Sequence, residues 1–432
     1  MTDGTVQTYD LELSDGSACE IMRPAEWNGY VISQPDLWRD EVDETFQSWL
    51  AGAGFASVRH SRDVRGWDLG RGIANHDEAT ALFAEHFGRP QQGTIVFGGS
   101  MGGLLARLLA EREDGDLAGA IATDGGGAGM LATFNRGLDM AFVVSRLLSP
   151  DVPIALTNAA SVDDELARLS SVIATARATA AGRARLALAA SIGAVPLWSD
   201  PLREEPQPDD FVDCADQQIG GMAATISPAY GFRSLVEQLA GGTVVDNAGI
   251  DYAHLLEVCG SRARVQVLYD QAGLSLTEEL RLLAESPRIS ASPHAVRSVS
   301  EGSSLTGRVR CPVFVLKSLG DPDASVSEEH AYLSRVSRAG RSEWVRVGFV
   351  RSAGHVNTTV AERAASVSVL VDRIESGAWG DAATPAALNA RAAALAADSP
   401  LDLSVRRLRG ALTEVTRFVP FEPWPYPRAM DG

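Results

Sequence analysis

Five residues carry the clearest chemical signal in this chain: Gly98-Gly99-Ser100-Met101-Gly102, a G-x-S-x-G pattern. The apolar run TIVFG (94–98) precedes it, and MGGLLARLLAERED, with leucine and alanine at helical spacing, follows it. A serine on so sharp a strand-to-helix turn sits in a strained backbone conformation, and the chain passing beside it demands small neighbours. Gly98, Gly102 and Gly103 meet that demand. Such a turn lifts the hydroxyl to the carboxyl edge of a sheet, over a helix N-terminus that favours a developing oxyanion. The Met101 amide is the first candidate donor. A phosphate loop is the weaker reading, because no Lys-Ser/Thr pair follows the glycines.

A serine becomes nucleophilic near neutral pH only with a base, and histidine suits that task. His355 fits by position, in Ser352-Ala353-Gly354-His355 directly after the apolar WVRVGFV. The acid that orients it should end a strand lying between serine and histidine in the chain. PVFVLKSLG (312–320) runs straight into Asp321-Pro322-Asp323, which makes Asp321 the first candidate and Asp323 an alternative. Asp124, at the end of LAGAIAT (117–123), is the third. His60 follows the short strand ASVR among Arg59, Arg62 and Arg65 and is a candidate substrate contact; His76, His86, His254, His294 and His330 read as structural.

The elements that must hold these residues alternate. YVIS (30–33), a helix in DEVDETFQSWLAGAG, ASVR (56–59), a helix in NHDEATALFAEHFG, TIVFG and LAGAIAT predict a mostly parallel sheet covered by helices. From 126 to 306 the strand signal fades, and SVDDELARLSSVIATARATAAGRARLALAASI (161–192) is helical in character. Strands return at PVFVLKSLG and EWVRVGFV (343–350). The expected architecture is therefore α/β, with a discontinuous catalytic core at 1–125 and 307–432 and a helical cap at 126–306. Two further helices, in AALNARAAALAAD and LSVRRLRGALTEV, precede a proline-spaced tail, PFEPWPYPRAM, expected to lie extended on the surface.

The order Ser, Asp, His and the segments FGGSMGG, LKSLGDPD and SAGH resemble the α/β-hydrolase superfamily. More narrowly, RPAEWNGYVIS, GGSMGGL and WVRVGFVRSAGHVN resemble a bacterial branch of capped serine esterases, over most of the chain outside the tail. The resemblance implies an α/β-hydrolase fold with a mostly parallel central sheet and a large inserted helical cap. It also implies hydrolysis of a carboxylic ester or related acyl bond in a fairly hydrophobic small molecule, with no metal or cofactor.

Members of that branch usually place His-Gly after the WNG strand to supply a second oxyanion donor. This chain has Ser33-Gln34-Pro35-Asp36-Leu37-Trp38 instead. Proline has no N–H, so the second donor must be the amide of Leu37 or Trp38, or the Gln34 side chain. A weakened hole keeps acyl elimination or rearrangement in natural-product biosynthesis as an alternative reading; a peptidase and a non-catalytic ligand-binding protein are the others.

Bulk properties bound these readings. The chain has 432 residues, 45% hydrophobic and 22% charged, as in folded globular proteins. Its 38 basic and 56 acidic side chains give a net charge of −18, which disfavours nucleic acid and anionic membranes as partners. MTDGTVQTYDLELSDG has neither a basic n-region nor an apolar stretch, and a cytoplasmic location is expected. Cys19, Cys214, Cys259 and Cys311 are too scattered for a zinc or redox motif and read as reduced thiols. A small-molecule substrate is the expected partner, and homo-oligomerisation stays open.

Overall fold

A computed structural model describes residues 6–35, 43–61, 67–406 and 417–428. Its strands are β1 (Gln7–Glu12), β2 (Ala18–Arg23), β3 (Tyr30–Gln34), β4 (Ala56–His60), β5 (Gly93–Gly99), β6 (Leu117–Thr123), β7 (Val313–Gly320) and β8 (Val345–Ala353). They form one sheet in the order β1-β2-β4-β3-β5-β6-β7-β8. β2 is antiparallel to both its neighbours, whereas β3 through β7 run parallel. The parallel strands read as near-continuous apolar runs because both their faces are covered. All five residues of β3 are buried, as are seven of the eight in β7.

The helices flanking the sheet in sequence are α1 (Glu44–Gly52), α2 (Leu69–Phe87) and α3 (Met101–Glu111). The all-helical stretch between β6 and β7 holds α4 (Met130–Leu148), α5 (Val162–Arg177), α6 (Ala180–Ile192), α7 (Phe211–Ala240), α8 (Tyr252–Val258), α9 (Arg262–Gln271), α10 (Leu276–Glu285) and α11 (Pro293–Ser300). α12 (Ser327–Arg338) joins β7 to β8, and α13 (Val360–Ser376) and α14 (Pro385–Asp398) follow. α5 and α6 divide at Thr179, whose hydroxyl accepts from the Gly182 amide and so starts a new helix inside the expected continuous stretch.

The chain divides into two compact units. One comprises 1–127, 305–319 and 332–422; the other comprises 128–304, 320–331 and 423–432. In the first, one apolar cluster joins Ile32, Phe97, Ile121, Phe314 and Leu316 of the sheet to Phe46, Trp49 and Leu50 of α1 and to the buried face of α13. α3 is buried along ten of its eleven residues. In the second, α4 packs on α6 and α7. The 320–331 segment, expected with the sheet, belongs to this helical unit because Arg136 of α4 donates to the Pro322 and Asp323 carbonyls, and Ser325 donates to the Ala194 carbonyl.

One expectation about the C-terminal region is corrected and one is refined. Phe418, two residues before the proline-spaced tail, is 2% exposed, bridges Val350 of β8 in antiparallel fashion, and exchanges hydrogen bonds with Asn389 of α14. Tyr426 is also buried, its hydroxyl donating to the Ala132 carbonyl, and Arg428 pairs with Asp139. Tyr426 is thus the anchor of a tail that otherwise lies extended at the surface, as expected, with Trp424 exposed. Leu403 to Arg406 is not helical, and the rest of LSVRRLRGALTEV lies outside the described residues.

Among the described residues no helix is long and apolar enough to cross a membrane. The four cysteines are unbridged, and burial pushes the Cys19, Cys259 and Cys311 thiols up to about 12.

Candidate active site

Ser100 closes β5 and caps α3 with φ 57° and ψ −123°, a backbone state costly for any residue but glycine. Its side chain makes no capping hydrogen bond to its own helix. The strain is held from several sides. The Ser100 amide donates to the Thr123 carbonyl at the end of β6, and its carbonyl accepts from the Gly103 and Leu104 amides. A Cβ on Gly98 would stand 1.9 Å from the Gly102 carbonyl oxygen, and one on Gly103 would stand 2.9 Å from that of Thr123. Gly125, which the motif did not point to, is equally constrained, its would-be Cβ 2.5 Å from the Gly103 carbonyl carbon.

His355 follows β8 in a loop whose shape its own residues set. The Ser352 hydroxyl donates to the Asn357 backbone carbonyl, the Asn357 side-chain Nδ2 donates to the Ala353 carbonyl, and Gly354 and Val356 both have positive φ. Val356 brings this loop to the serine turn, since its Cγ1 lies 3.2 Å from where a Cβ on Gly99 would be. The neighbours of Ser100 and His355 in the chain are therefore in contact, and both residues are half-buried.

Asp321 comes directly after β7 and is fully buried, one carboxylate oxygen accepting from the Asp323 and Ala324 amides in a tight turn. Asp323 is half-buried, and both acids are counted with the helical unit. Asp124, the third candidate acid, is already committed: its carboxylate accepts from Lys317 Nζ at 3.0 Å, the Ser318 amide and hydroxyl at 2.8 Å each, and the Val356 amide at 3.1 Å. Lys317 and Ser318 went unnoticed in the sequence, although a lysine inside an apolar strand signals a buried counter-charge.

Met101 opens α3, the position an oxyanion donor requires. Gln34 is buried at the end of β3, and its side-chain amide is paired reciprocally with Gln47 of α1, at 3.1 and 2.9 Å, which leaves one N–H of Gln34 uncommitted by that pair. Leu37 and Trp38 lie outside the described residues, as do Arg62 and Arg65.

His60 is 2% exposed, and burial pushes its imidazole down to about 4. This corrects its reading as a substrate contact: it is an interior, neutral histidine. His76, whose Nδ1 lies 2.9 Å from Ser33 Oγ, is pushed down to about 3 by burial and by the nearby His60. Both values sit below the ordinary 6.5, so the unfolded chain takes up these protons first as pH falls. Stability is therefore undiminished by them above pH about 6.5 and falls as pH drops toward 4 and 3, the loss reaching a few kcal/mol at pH about 4.5. Urea midpoints measured from pH 8 to 4.5 are expected to fall less steeply in His60→Gln than in wild type. Parallel slopes would contradict the assignment.

A serine on a left-handed turn after β5, in a sheet of this order with a parallel core, is the arrangement of the α/β-hydrolase fold, and the chain has that fold. No protein-family model matches it. The chain is similar to an o-phthalyl amidase of Xanthobacter agilis, 29% identical over 402 residues that span 85% of this chain and 87% of that protein. Structural similarity extends to an esterase of Aspergillus oryzae (13% identity, TM-score 0.41, 86% of this chain and 80% of that one). An esterase of Pyrococcus furiosus is also similar (9%, TM-score 0.39, 87% and 92%). These superpositions are loose, and the fold assignment rests on this chain's own strand order and serine turn.

Proposed function

We propose that this protein is a serine hydrolase cleaving a carboxylic ester or amide of a small, fairly hydrophobic molecule through an acyl-enzyme. Ser100 attacks the carbonyl carbon, and His355 takes the hydroxyl proton and returns it to the leaving alcohol or amine. Asp321 orients His355 and stabilises the imidazolium, with Asp323 as the alternative acid. The Met101 amide, at the positive end of α3, supports the oxyanion together with a second amide from Leu37 or Trp38. Water then hydrolyses the acyl-enzyme by the same proton route.

The observation that carries this reading is Ser100 itself: a strained, half-buried serine that does not cap its own helix, with the His355 loop packed against its turn. Nothing in structural economy favours that conformation for a non-glycine residue, whereas nucleophilic attack does. The likeness to an amidase sets amides beside esters, and aromatic acyl groups first among those to try.

The test is turnover by wild type and Ser100→Ala of p-nitrophenyl esters from acetyl to decanoyl, and of p-nitroanilides that include the phthalic monoamide. Wild type is expected to turn over at least one series, with kcat/KM lower by about a thousandfold or more in Ser100→Ala. A folded wild type inert toward every member would contradict the reading.

A further inference from the structure

Asp124 and Lys317 are both fully buried, on adjacent strands, and form an ion pair of 3.0 Å. Such a pair contributes little to net stability, because desolvating two charges offsets most of their attraction. Its geometry has another use. One Asp124 oxygen receives Lys317 Nζ and the Ser318 amide; the other receives the Ser318 hydroxyl and the Val356 amide. The Asp124 amide in turn donates to the Leu316 carbonyl, and the residue before it, Thr123, accepts the Ser100 amide. A single side chain thus joins the ends of β6, β7 and β8 at the serine turn. Val356, whose N–H it holds, follows His355 directly and has a positive φ of 51° that its own side chain disfavours.

We infer that Asp124, neutralised by Lys317, is a positioning residue that sets His355 relative to Ser100 by holding the Val356 amide. The inference rests on the reading of Ser100 and His355 as nucleophile and base. Lys317 makes the buried carboxylate tolerable, the two Ser318 donors fix its rotamer, and the remaining acceptor site meets the His355 loop. Asp124 acts on His355 through the backbone of its neighbour.

Two double variants separate this role from the pair's charge. Asp124→Ala/Lys317→Met removes both charges and the acceptor for the Val356 amide. Asp124→Asn/Lys317→Met removes both charges but retains a carbonyl oxygen that accepts from it. The Ala variant is expected to lose about a hundredfold in kcat with KM nearly unchanged, the effect of a misplaced catalytic group. Its His355 imidazole proton signal should be split or broadened in NMR spectra. The Asn variant should keep kcat within about tenfold of wild type and a single sharp signal.

Wild-type kcat in the Ala variant, or equal losses in both folded variants, would overturn the inference. If the Ala variant fails to fold, the Asn variant decides alone, a hundredfold loss in folded protein counting against the role. If wild-type Ser100 resists a fluorophosphonate probe, the hydrolase reading fails, and the His355 signal still decides whether Asp124 holds the loop.

Discussion

His355→Ala is expected to lower kcat/KM by about a thousandfold or more on the best substrate while leaving the melting temperature within a few degrees of wild type. The large loss follows from the chemistry, since a serine hydroxyl has no appreciable nucleophilicity near neutral pH without a base within reach. The small effect on stability follows from what holds the loop. Ser352, Asn357 and the Val356 amide make its hydrogen bonds, and Gly354 takes its positive φ without strain. These interactions are made by other residues of the loop and remain in the variant. Kinetics on the purified variant, with circular dichroism melting, would check both halves. Activity within tenfold of wild type would remove His355 from the mechanism and leave Ser100 without a base.

Gly98→Ala is the second large effect. The added methyl would lie 1.9 Å from the Gly102 carbonyl oxygen and 2.8 Å from the Gly103 nitrogen, and both atoms are backbone of the turn that carries Ser100. No rotamer relieves such an overlap, so the strand end or the start of α3 must shift, and Ser100 moves with it. Displacement of a nucleophile by about 1 Å is worth about a hundredfold in rate, and overpacking of this kind typically costs about 1–3 kcal/mol of stability. Gly220→Ala is the control: nothing lies within 4 Å of its would-be Cβ in the interior of α7, so the methyl should be neutral or stabilising. Comparing kcat/KM and melting temperature for the two variants distinguishes the turn's requirement from a general sensitivity to alanine.

The parts of this molecule that show in its sequence are those whose physics is local. β5, the serine turn and α3 could be read because an apolar run, a glycine-flanked serine and a helical leucine pattern succeed one another without interruption. β6 and β7 were legible for the same reason, and strand-end position alone singled out Asp124, Asp321 and His355. The β1–β2 hairpin escaped notice because β1 is mostly exposed and its apolar residues are few. The break between α5 and α6 is also local, but alanine-rich composition on both sides hid the Thr179 cap.

What the sequence could not disclose were pairings made across the sheet. Lys317 and Asp124 are 193 positions apart, and only the adjacency of β6 and β7 turns two isolated charges into one fully buried pair. Gln34 looked free of other partners because nothing in the chain pointed to Gln47. Phe418 stands just before, and Tyr426 within, a segment with every mark of a surface tail; the burial of the one depends on an edge at β8 and of the other on contacts with α4 that no periodicity encodes. His60 looked functional by its place at a strand end, and its burial reversed that reading.

The central claim is that Ser100 is an activated nucleophile. Its most direct test is peptide-level mass spectrometry of the full chain after reaction with a fluorophosphonate. The account predicts one adduct, on Ser100, formed in wild type and absent from Ser100→Ala of equal stability. Folded wild-type protein that stays unmodified, or an adduct that persists undiminished in Ser100→Ala, would contradict it.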